Sequence, residues 1–148
     1  DRFIKIGDKM LDLTTFSKAI NSMNDLVEQM ENSEEIKKLN PTLILGLRAG
    51  VIQNFEFTYE IAWKYMKRWL ENNVGASIVD GVARRQLFRL AFENGLINDI
   101  DSWMDYHNGR NRTSHTYNLV TADEVYVVAI KFLPDVKILY KVLEEKND

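Results

Sequence analysis

The chain has 148 residues, 45% of them hydrophobic and 28% charged, which is typical of a single globular domain spanning 1–148. Its net charge of −3 argues against a surface built wholly for nucleic acid, and the absence of cysteine excludes disulfides and thiolate chemistry. The longest apolar runs, LILGL and VYVVAI, are far shorter than the roughly 20 residues that span a bilayer, so we expect a cytoplasmic protein with no membrane contact.

The first two helices are predicted from apolar residues that recur every three or four positions. Helix one is expected from Asp12 to about Lys38, with a break near Asn32, where the segment ENSEEIKK is polar on all sides. Helix two begins at Pro41, a residue that suits the first turn of a helix, and the segment ENNVGAS ends it. Because its apolar stripe is wide and continues to Leu70, we expect this helix to be central and the most buried.

Three shorter patterns follow. A third helix is predicted at about Val79 to Glu93, ended by Asn94-Gly95, and a fourth at about Asp99 to Asn108, which Gly109 closes or bends. The last helix begins at the capping-box pattern Thr121-Ala-Asp-Glu124, and Pro134 is expected to kink it or split it in two. No segment alternates polar and apolar residues as a strand does. The sequence therefore predicts an all-α antiparallel up-and-down bundle of four or five helices.

Ionisable chemistry is concentrated in the stretch GRNRTSHTYN, residues 109–118, where Arg110 and His115 are followed by Tyr117, with Asn111 and Ser114 between them. An arginine offers planar donors to phosphate oxygens, and a histidine can move a proton near neutral pH. On RNA, His115 can take the proton of a ribose 2′-hydroxyl while Arg110 stabilises charge on the phosphorane, with no metal required. The alternative is a polar loop whose side chains cap backbone groups at a helix end, and residue types alone favour it.

Glu56 and Glu60 form a second candidate group, because residues four apart lie on one face of a helix. Two carboxylates can do acid/base work or hold a divalent ion. The favoured alternative is that they pair with arginines of a neighbouring helix, as buried carboxylates require. The candidate partners are Arg48, Arg84 and Arg110.

Other signatures are weak or absent. There is no glycine-rich phosphate loop and no nucleophile elbow, and with only His107 and His115 a histidine-rich metal site is not expected, so we predict no metal and no cofactor. Six basic residues can form a strip near the loop, although a solvated helix face is the favoured interpretation. They are Lys64, Lys67, Arg68, Arg84, Arg85 and Arg89.

Three motifs in this order, QNFEFTYEIAWKYMKRWLE, AFENGLI and RNRTSHTY, make the chain recognisable from about Gln53 to the last helix. It resembles the nucleotidyltransferase substrate-binding branch of the HEPN superfamily, which is related to HepT-like toxins. The resemblance implies a HEPN-like bundle, a symmetric homodimer, a minimal nucleotidyltransferase as partner, and RNA or a nucleotide as ligand. In the toxin branch the motif Arg and His, here Arg110 and His115, form a metal-independent ribonuclease, and Asn111 matches the polar residue after the arginine. Tyr117 matches the tyrosine that accepts AMP from the partner.

Two functional hypotheses therefore stand close together. In one, the protein is a HepT-like ribonuclease toxin that is silenced by AMP transfer to Tyr117. In the other, it is a non-catalytic adaptor that presents a substrate or nucleotide to the nucleotidyltransferase. A plain helical interaction domain leaves the clustering of Arg110, His115 and Tyr117 unexplained. In a C2 dimer two copies of the loop can share one cleft, which doubles the local density of basic groups although the whole protein is acidic.

Overall fold

The computed structural model describes residues 11–147, and all regular secondary structure in that range is helical. Residues 1–10 and 148 of the predicted domain lie outside the described residues. Two of the helices are single turns, so five longer helices form the bundle, as predicted. The elements are α1 (Thr14–Asn32), α2 (Glu34–Lys37), α3 (Pro41–Asn73), α4 (Ala76–Val79), α5 (Arg84–Glu93), α6 (Ile100–Asn111), a 3₁₀ turn (Thr113–His115) and α7 (Leu119–Lys146).

Helix α3 is central, because it contacts α1, α7, α5 and α6. Aromatic rings fill the space between these helices, and the fully buried ring of Phe132 on α7 is in edge contact with four of them: Phe55, Tyr59, Trp103 and Tyr106. Burying a large apolar side chain contributes roughly 1.5–3 kcal/mol, so this cluster fixes α6 and α7 against the middle of α3. Within residues 11–147, no helix is both long and apolar enough to cross a membrane.

The first third of α3 departs from the expected burial. Core residues of the helix run from Val51 to Leu70, whereas positions 41–50 contain no buried residue. Leu43 and Leu45 are exposed, and Ile44 is only partly buried. The apolar stripe therefore covers more of the helix than the core of one chain occupies.

The break in the first predicted helix is confirmed at Ser33, which separates α1 from α2. Its side chain caps α2 by accepting a hydrogen bond from the Ile36 backbone N–H. The predicted start at Pro41 is also confirmed. Asn40 precedes it and accepts a hydrogen bond from the Leu43 backbone N–H, so that cap and proline together begin α3.

The predicted start of the third helix at Val79 is wrong. Val79 ends the single turn α4, and the chain is extended at Asp80 before α5 begins at Arg84. Gly81 adopts a φ of +71°, a left-handed conformation that interrupts a helix. The predicted stop is confirmed, because Asn94 is the C-cap of α5 and Gly95 adopts a φ of +77°.

Gly109 does not end the fourth predicted helix, because α6 continues to Asn111. The glycine is needed for packing: a Cβ atom at this position would lie 2.8 Å from Cγ1 of Val128 on α7. This close approach brings α6 against α7. As a result, Arg110 and Asn111 lie in a helix and not in a loop.

The last helix begins earlier than the capping-box pattern predicts. Asn118 caps α7 by accepting hydrogen bonds from the backbone N–H groups of Val120 and Thr121, so that Thr121 lies inside the helix. Pro134 does not split α7, which is one helix from Leu119 to Lys146. A proline costs a helix about 3 kcal/mol, and burial of the neighbouring residues Phe132, Leu133 and Val136 offsets this cost.

Candidate functional site

The segment between α6 and α7 is shaped by short-range hydrogen bonds. Thr113 Oγ1 donates to the Arg110 carbonyl oxygen at 2.8 Å, and Thr116 Oγ1 donates to the Thr113 carbonyl oxygen at 2.9 Å. The His115 backbone N–H closes the 3₁₀ turn on the Arg112 carbonyl oxygen at 3.0 Å. Helix-end capping therefore accounts for both threonines and for Asn118, as the polar-loop interpretation requires. It does not account for the ionisable side chains.

Arg110 reaches from the last turn of α6 to two carboxylates on α3. Its Nε lies 3.0 Å from Glu60 Oε2, and its Nη1 lies 3.4 Å from Glu56 Oε2. The predicted pairing of these glutamates with an arginine is confirmed, and Arg110 is the partner. Of the other two candidates, Arg48 pairs with Asp123, and Arg84 contacts Tyr59 instead. Among the described residues, no three His, Asp or Glu side chains are grouped as a metal site requires.

These ion pairs position the guanidinium more than they stabilise the fold. All three side chains are between 30% and 40% exposed, and solvent screening limits such pairs to about 1 kcal/mol or less. A guanidinium carries five N–H donors in a planar fork. Within residues 11–147 its Nη2 forms no hydrogen bond, so the edge of the fork that bears Nη2 can contact a phosphate oxygen.

His115 and Tyr117 lie beyond α6 and face solvent. Their rings are in edge contact, with centroids 6.2 Å apart, and Tyr117 is 83% exposed. Within the described residues the His115 imidazole forms no hydrogen bond, and none joins it to the Arg110 guanidinium. Ser114 is exposed beside His115. The geometry thus brings Arg110 together with the two glutamates of α3, and His115 together with Tyr117 after α6.

Three residues that connect to the pair of Arg110 and Glu60 were not predicted as part of the site: Tyr59, Trp63 and His107. Arg84, which contacts Tyr59, was predicted only as a candidate partner of the glutamates and as a member of the basic strip. His107 Nδ1 lies 2.9 Å from the Tyr59 hydroxyl, and Asn111 Nδ2 lies 3.4 Å from His107 Nε2. Burial, and then the positive charge of Arg84, lowers the pKa of His107, while burial raises the pKa of Tyr59 to about 12. The available signal was spacing, because His107 lies three residues before Arg110 and so on the same helix face.

The six predicted basic residues do not act as one strip. Arg84 turns inward, with its Cζ 3.6 Å from the centroid of the Trp63 ring, and Arg85 pairs with Asp101 at 3.4 Å. Lys64 lies beside the Trp63 ring of its own helix. Arg68 and Arg89 are exposed and Lys67 is partly buried. Apart from Arg84, the set is a solvated surface, as the favoured interpretation predicted.

Comparisons with known sequences find a matching family and a similar protein. The sequence profile of the family described as nucleotidyltransferase substrate binding protein like matches residues 11–145. The chain is 32% identical over 139 residues to a Haemophilus influenzae protein named probable ribonuclease HepT, covering 93% of this chain and 94% of that protein.

Two solved structures share the fold. One, from Haemophilus influenzae, is described as the fold of a substrate binding domain of a nucleotidyltransferase; it has a TM-score of 0.86 and 31% identity over 90% of this chain and 99% of that one. The other, a protein from Thermus thermophilus, has a TM-score of 0.65 and 24% identity over 84% of this chain and 98% of that one.

Proposed function

Because this chain belongs to the nucleotidyltransferase substrate binding protein like family, we propose that it is a HepT-like toxin that cleaves RNA without a metal ion and is paired with a minimal nucleotidyltransferase. One observation carries the proposal. The His115 imidazole is exposed and lacks a hydrogen-bond partner within residues 11–147, on a turn that directly follows the helix that holds Arg110. Capping explains Thr113, Thr116 and Asn118, whereas no cap uses the side chain of Arg110 or of His115.

In the proposed reaction His115 takes the proton from a ribose 2′-hydroxyl. The 2′-oxygen forms a bond to the adjacent phosphorus, the bond from phosphorus to the 5′-oxygen breaks, and water protonates the departing 5′-oxygen. The products carry a 2′,3′-cyclic phosphate and a 5′-hydroxyl. Arg110 donates hydrogen bonds to the phosphorane oxygens, where negative charge builds, and Glu56 and Glu60 hold its guanidinium. Asn111 and Ser114 are the supporting polar groups beside this pair.

The cleavage hypothesis is tested with purified protein, labelled total RNA and EDTA. We expect His115→Ala and Arg110→Ala each to lower the cleavage rate about 100-fold or more, because each removes a group used only in the transition state. Lys18→Ala, which changes an exposed basic residue on α1, is the matched control and should cleave at the wild-type rate. Equal rates for wild type and His115→Ala would contradict the assignment.

Regulation by AMP transfer fits the exposure of Tyr117. Its phenolic oxygen would form a bond to the α-phosphorus of ATP, the bond to pyrophosphate would break, and the phenolic proton would pass to solvent. The added phosphodiester is anionic and stands beside the ring of His115, 6.2 Å from that of Tyr117. It would therefore repel an RNA phosphate and block access to the imidazole.

A non-catalytic adaptor is the second candidate, and the ion pairs of Arg110 favour it. Two carboxylates offset the charge of this one guanidinium, which weakens its ability to stabilise the dianionic phosphorane of a cleavage reaction. The adaptor would form a complex with the nucleotidyltransferase and bind a nucleotide in a manner weakened by Arg110→Ala, with no RNA cleavage. RNA cleavage that His115→Ala abolishes would exclude it.

A homodimer is the proposed assembly. Exposed apolar side chains lie on α7 at Leu119, Val120 and Val127, and on the start of α3 at Leu43 and Leu45. The Arg48–Asp123 ion pair joins the first part of α3 to this part of α7, so the two groups lie at the same end of the bundle. Apolar surface of this kind is typical of an interface. A second copy would bring two copies of the 109–118 segment close together.

A further inference from the structure

A ring of six side chains joins α3, α5 and α6: five contacts link them in turn, and the ring closes where His107 and Arg110 share one face of α6. Its members are Tyr59, Glu60, Trp63, Arg84, His107 and Arg110. On one side of the ring, Arg84 Nη1 lies 3.2 Å from the Tyr59 hydroxyl, which in turn lies 2.9 Å from His107 Nδ1. His107 and Arg110 are three residues apart on the same face of α6.

The other side of the ring returns from Arg110 to Arg84. Glu60 binds Arg110 Nε through one carboxylate oxygen and accepts a hydrogen bond from Trp63 Nε1 at 3.2 Å through the other. The Arg84 guanidinium stacks on the Trp63 ring, 3.6 Å from its centroid. Each contact therefore restrains the next side chain, and Arg110 is held from α3 through Glu60.

The hydrogen bonds on the His107 side have one consistent direction. Arg84 can only donate, so the Tyr59 oxygen accepts from it. Tyr59 is fully buried, and its hydroxyl proton needs an acceptor, which is His107 Nδ1. His107 is then neutral and carries its proton on Nε2, facing the side-chain amide of Asn111. When the Asn111 amide oxygen is turned toward the His107 imidazole, it accepts the hydrogen bond from Nε2–H. This orientation of the amide is assigned from the surrounding hydrogen bonds.

Protonation of His107 breaks this sequence of donors. Both ring nitrogens of a charged imidazole are donors, so the Tyr59 oxygen would face donors from both Arg84 and His107. The buried hydroxyl proton of Tyr59 would then have no acceptor. Arg84 from α5 and Arg110 on α6 oppose a positive charge at this position, and Glu60 from α3 partly offsets them. Burial, followed by Arg84, lowers the pKa of His107.

We propose that neutral His107 is a positioning residue for Arg110, and that its protonation at Nδ1 breaks the contact with Tyr59 and so loosens the ring that holds Arg110. The proposal deepens the proposed function, since it rests on Arg110 as the phosphate-binding residue. Acid would then free the Arg110 guanidinium from its fixed position. At neutral pH the ring thus holds the Arg110 guanidinium in place through a histidine that lies outside the 109–118 segment.

The test is an NMR titration of 15N-labelled protein from pH 8 to pH 5, which follows the Arg110 Nε–Hε and Asn111 side-chain amide signals. In the wild type both should move with one midpoint below about 6.5, the ordinary histidine pKa. His107→Asn offers an acceptor oxygen near the position of Nδ1 and cannot titrate, so both signals should stay at their neutral positions across the range. In the matched control His115→Asn, which removes the only other histidine, the wild-type titration should persist.

Two further outcomes separate this proposal from the proposed function. His107→Leu, which has no acceptor, should shift the Arg110 signal at every pH, and rescue by His107→Asn distinguishes positioning from simple filling of space. An Arg110 signal that is independent of pH in the wild type, or a titration lost in His115→Asn, would overturn the proposal. If the Arg110 NMR signal follows the titration of His107 but no RNA is cleaved, the positioning role stands and the ribonuclease assignment fails.

Discussion

At the scale of single residues, the side chains of the site differ in what holds them. Arg110 is fixed by two carboxylates, whereas the side chains of His115 and Tyr117 form no hydrogen bond or ion pair among the described residues. The spacing of Glu56 and Glu60 predicted a shared face and an arginine partner. It could not choose among three arginines, because that choice depends on which helix packs against α3.

His107 shows why part of the site could not be predicted from sequence. Its contact with Tyr59 joins residues 48 positions apart, and Arg84 reaches the same hydroxyl from 25 positions away. A hydrogen-bond chain of this kind forms only when three helices meet. Spacing alone placed His107 on the face of Arg110, and nothing local indicated its buried partner.

The lowered pKa of His107 predicts how stability depends on pH. The unfolded chain binds the proton with a pKa of about 6.5 and the folded chain binds it more weakly, so the contribution is complete above about pH 6.5. The free energy of unfolding should fall as the pH drops from about 6.5 toward the folded pKa, and then level off. Urea denaturation of the wild type and His107→Asn between pH 7.5 and 5 should show this slope only in the wild type. Identical slopes would refute the prediction.

At the scale of elements, helix existence was predictable and two helix starts were not. The period of the apolar residues gave four of the five longer helices, because it reflects the face each one buries, and the residues at its two ends gave α6. The start of α5 was missed because Gly81 takes a left-handed conformation, and the start of α7 was missed because Asn118 caps the helix before the capping-box pattern begins. Both helix starts depend on the backbone conformation at one residue. A glycine or an asparagine allows that conformation but does not require it.

The contact of α6 with α7 depends on Gly109. We expect Gly109→Ala to lower the free energy of unfolding by about 1–3 kcal/mol, because its Cβ would meet Val128 Cγ1 at 2.8 Å and force α6 away. Gly46→Ala is the matched control, since it lies in α3 with nothing within 4 Å of the added atom. It should be neutral or stabilising by up to about 1 kcal/mol. Chemical denaturation measures both, and equal effects would contradict the packing argument.

At the scale of the whole molecule, the apolar stripe of α3 predicted a central helix but not what each part of it covers. Positions 51–70 face the core, and positions 41–50 do not. A pattern of apolar residues gives the amount of surface to be buried and cannot identify the surface that buries it. The family and the bundle, in contrast, followed from motifs that recur in order along most of the chain.

The proposed dimer predicts a contrast between two positions on α7. Val127, which is 52% exposed, lies seven residues from Val120 on the face that adjoins the start of α3, whereas Ile138 is 47% exposed near the other end. Val127→Glu should raise the dimer dissociation constant about tenfold or more, since each 1.4 kcal/mol of lost burial is tenfold. Ile138→Glu should leave it unchanged. Light scattering across a dilution series measures both, and a wild-type monomer at micromolar concentration would contradict the assembly.

The most direct test is the mass of the intact protein after coexpression with the proposed nucleotidyltransferase partner, because AMP transfer to Tyr117 would add a defined mass to the 109–118 segment. Wild type should gain mass in steps of one AMP, and Tyr117→Phe should gain none. Tyr140→Phe, which changes a partly buried tyrosine near the other end of α7, should be modified like the wild type. No added mass in a wild-type protein that still binds the nucleotidyltransferase would contradict AMP transfer to Tyr117 and favour the adaptor.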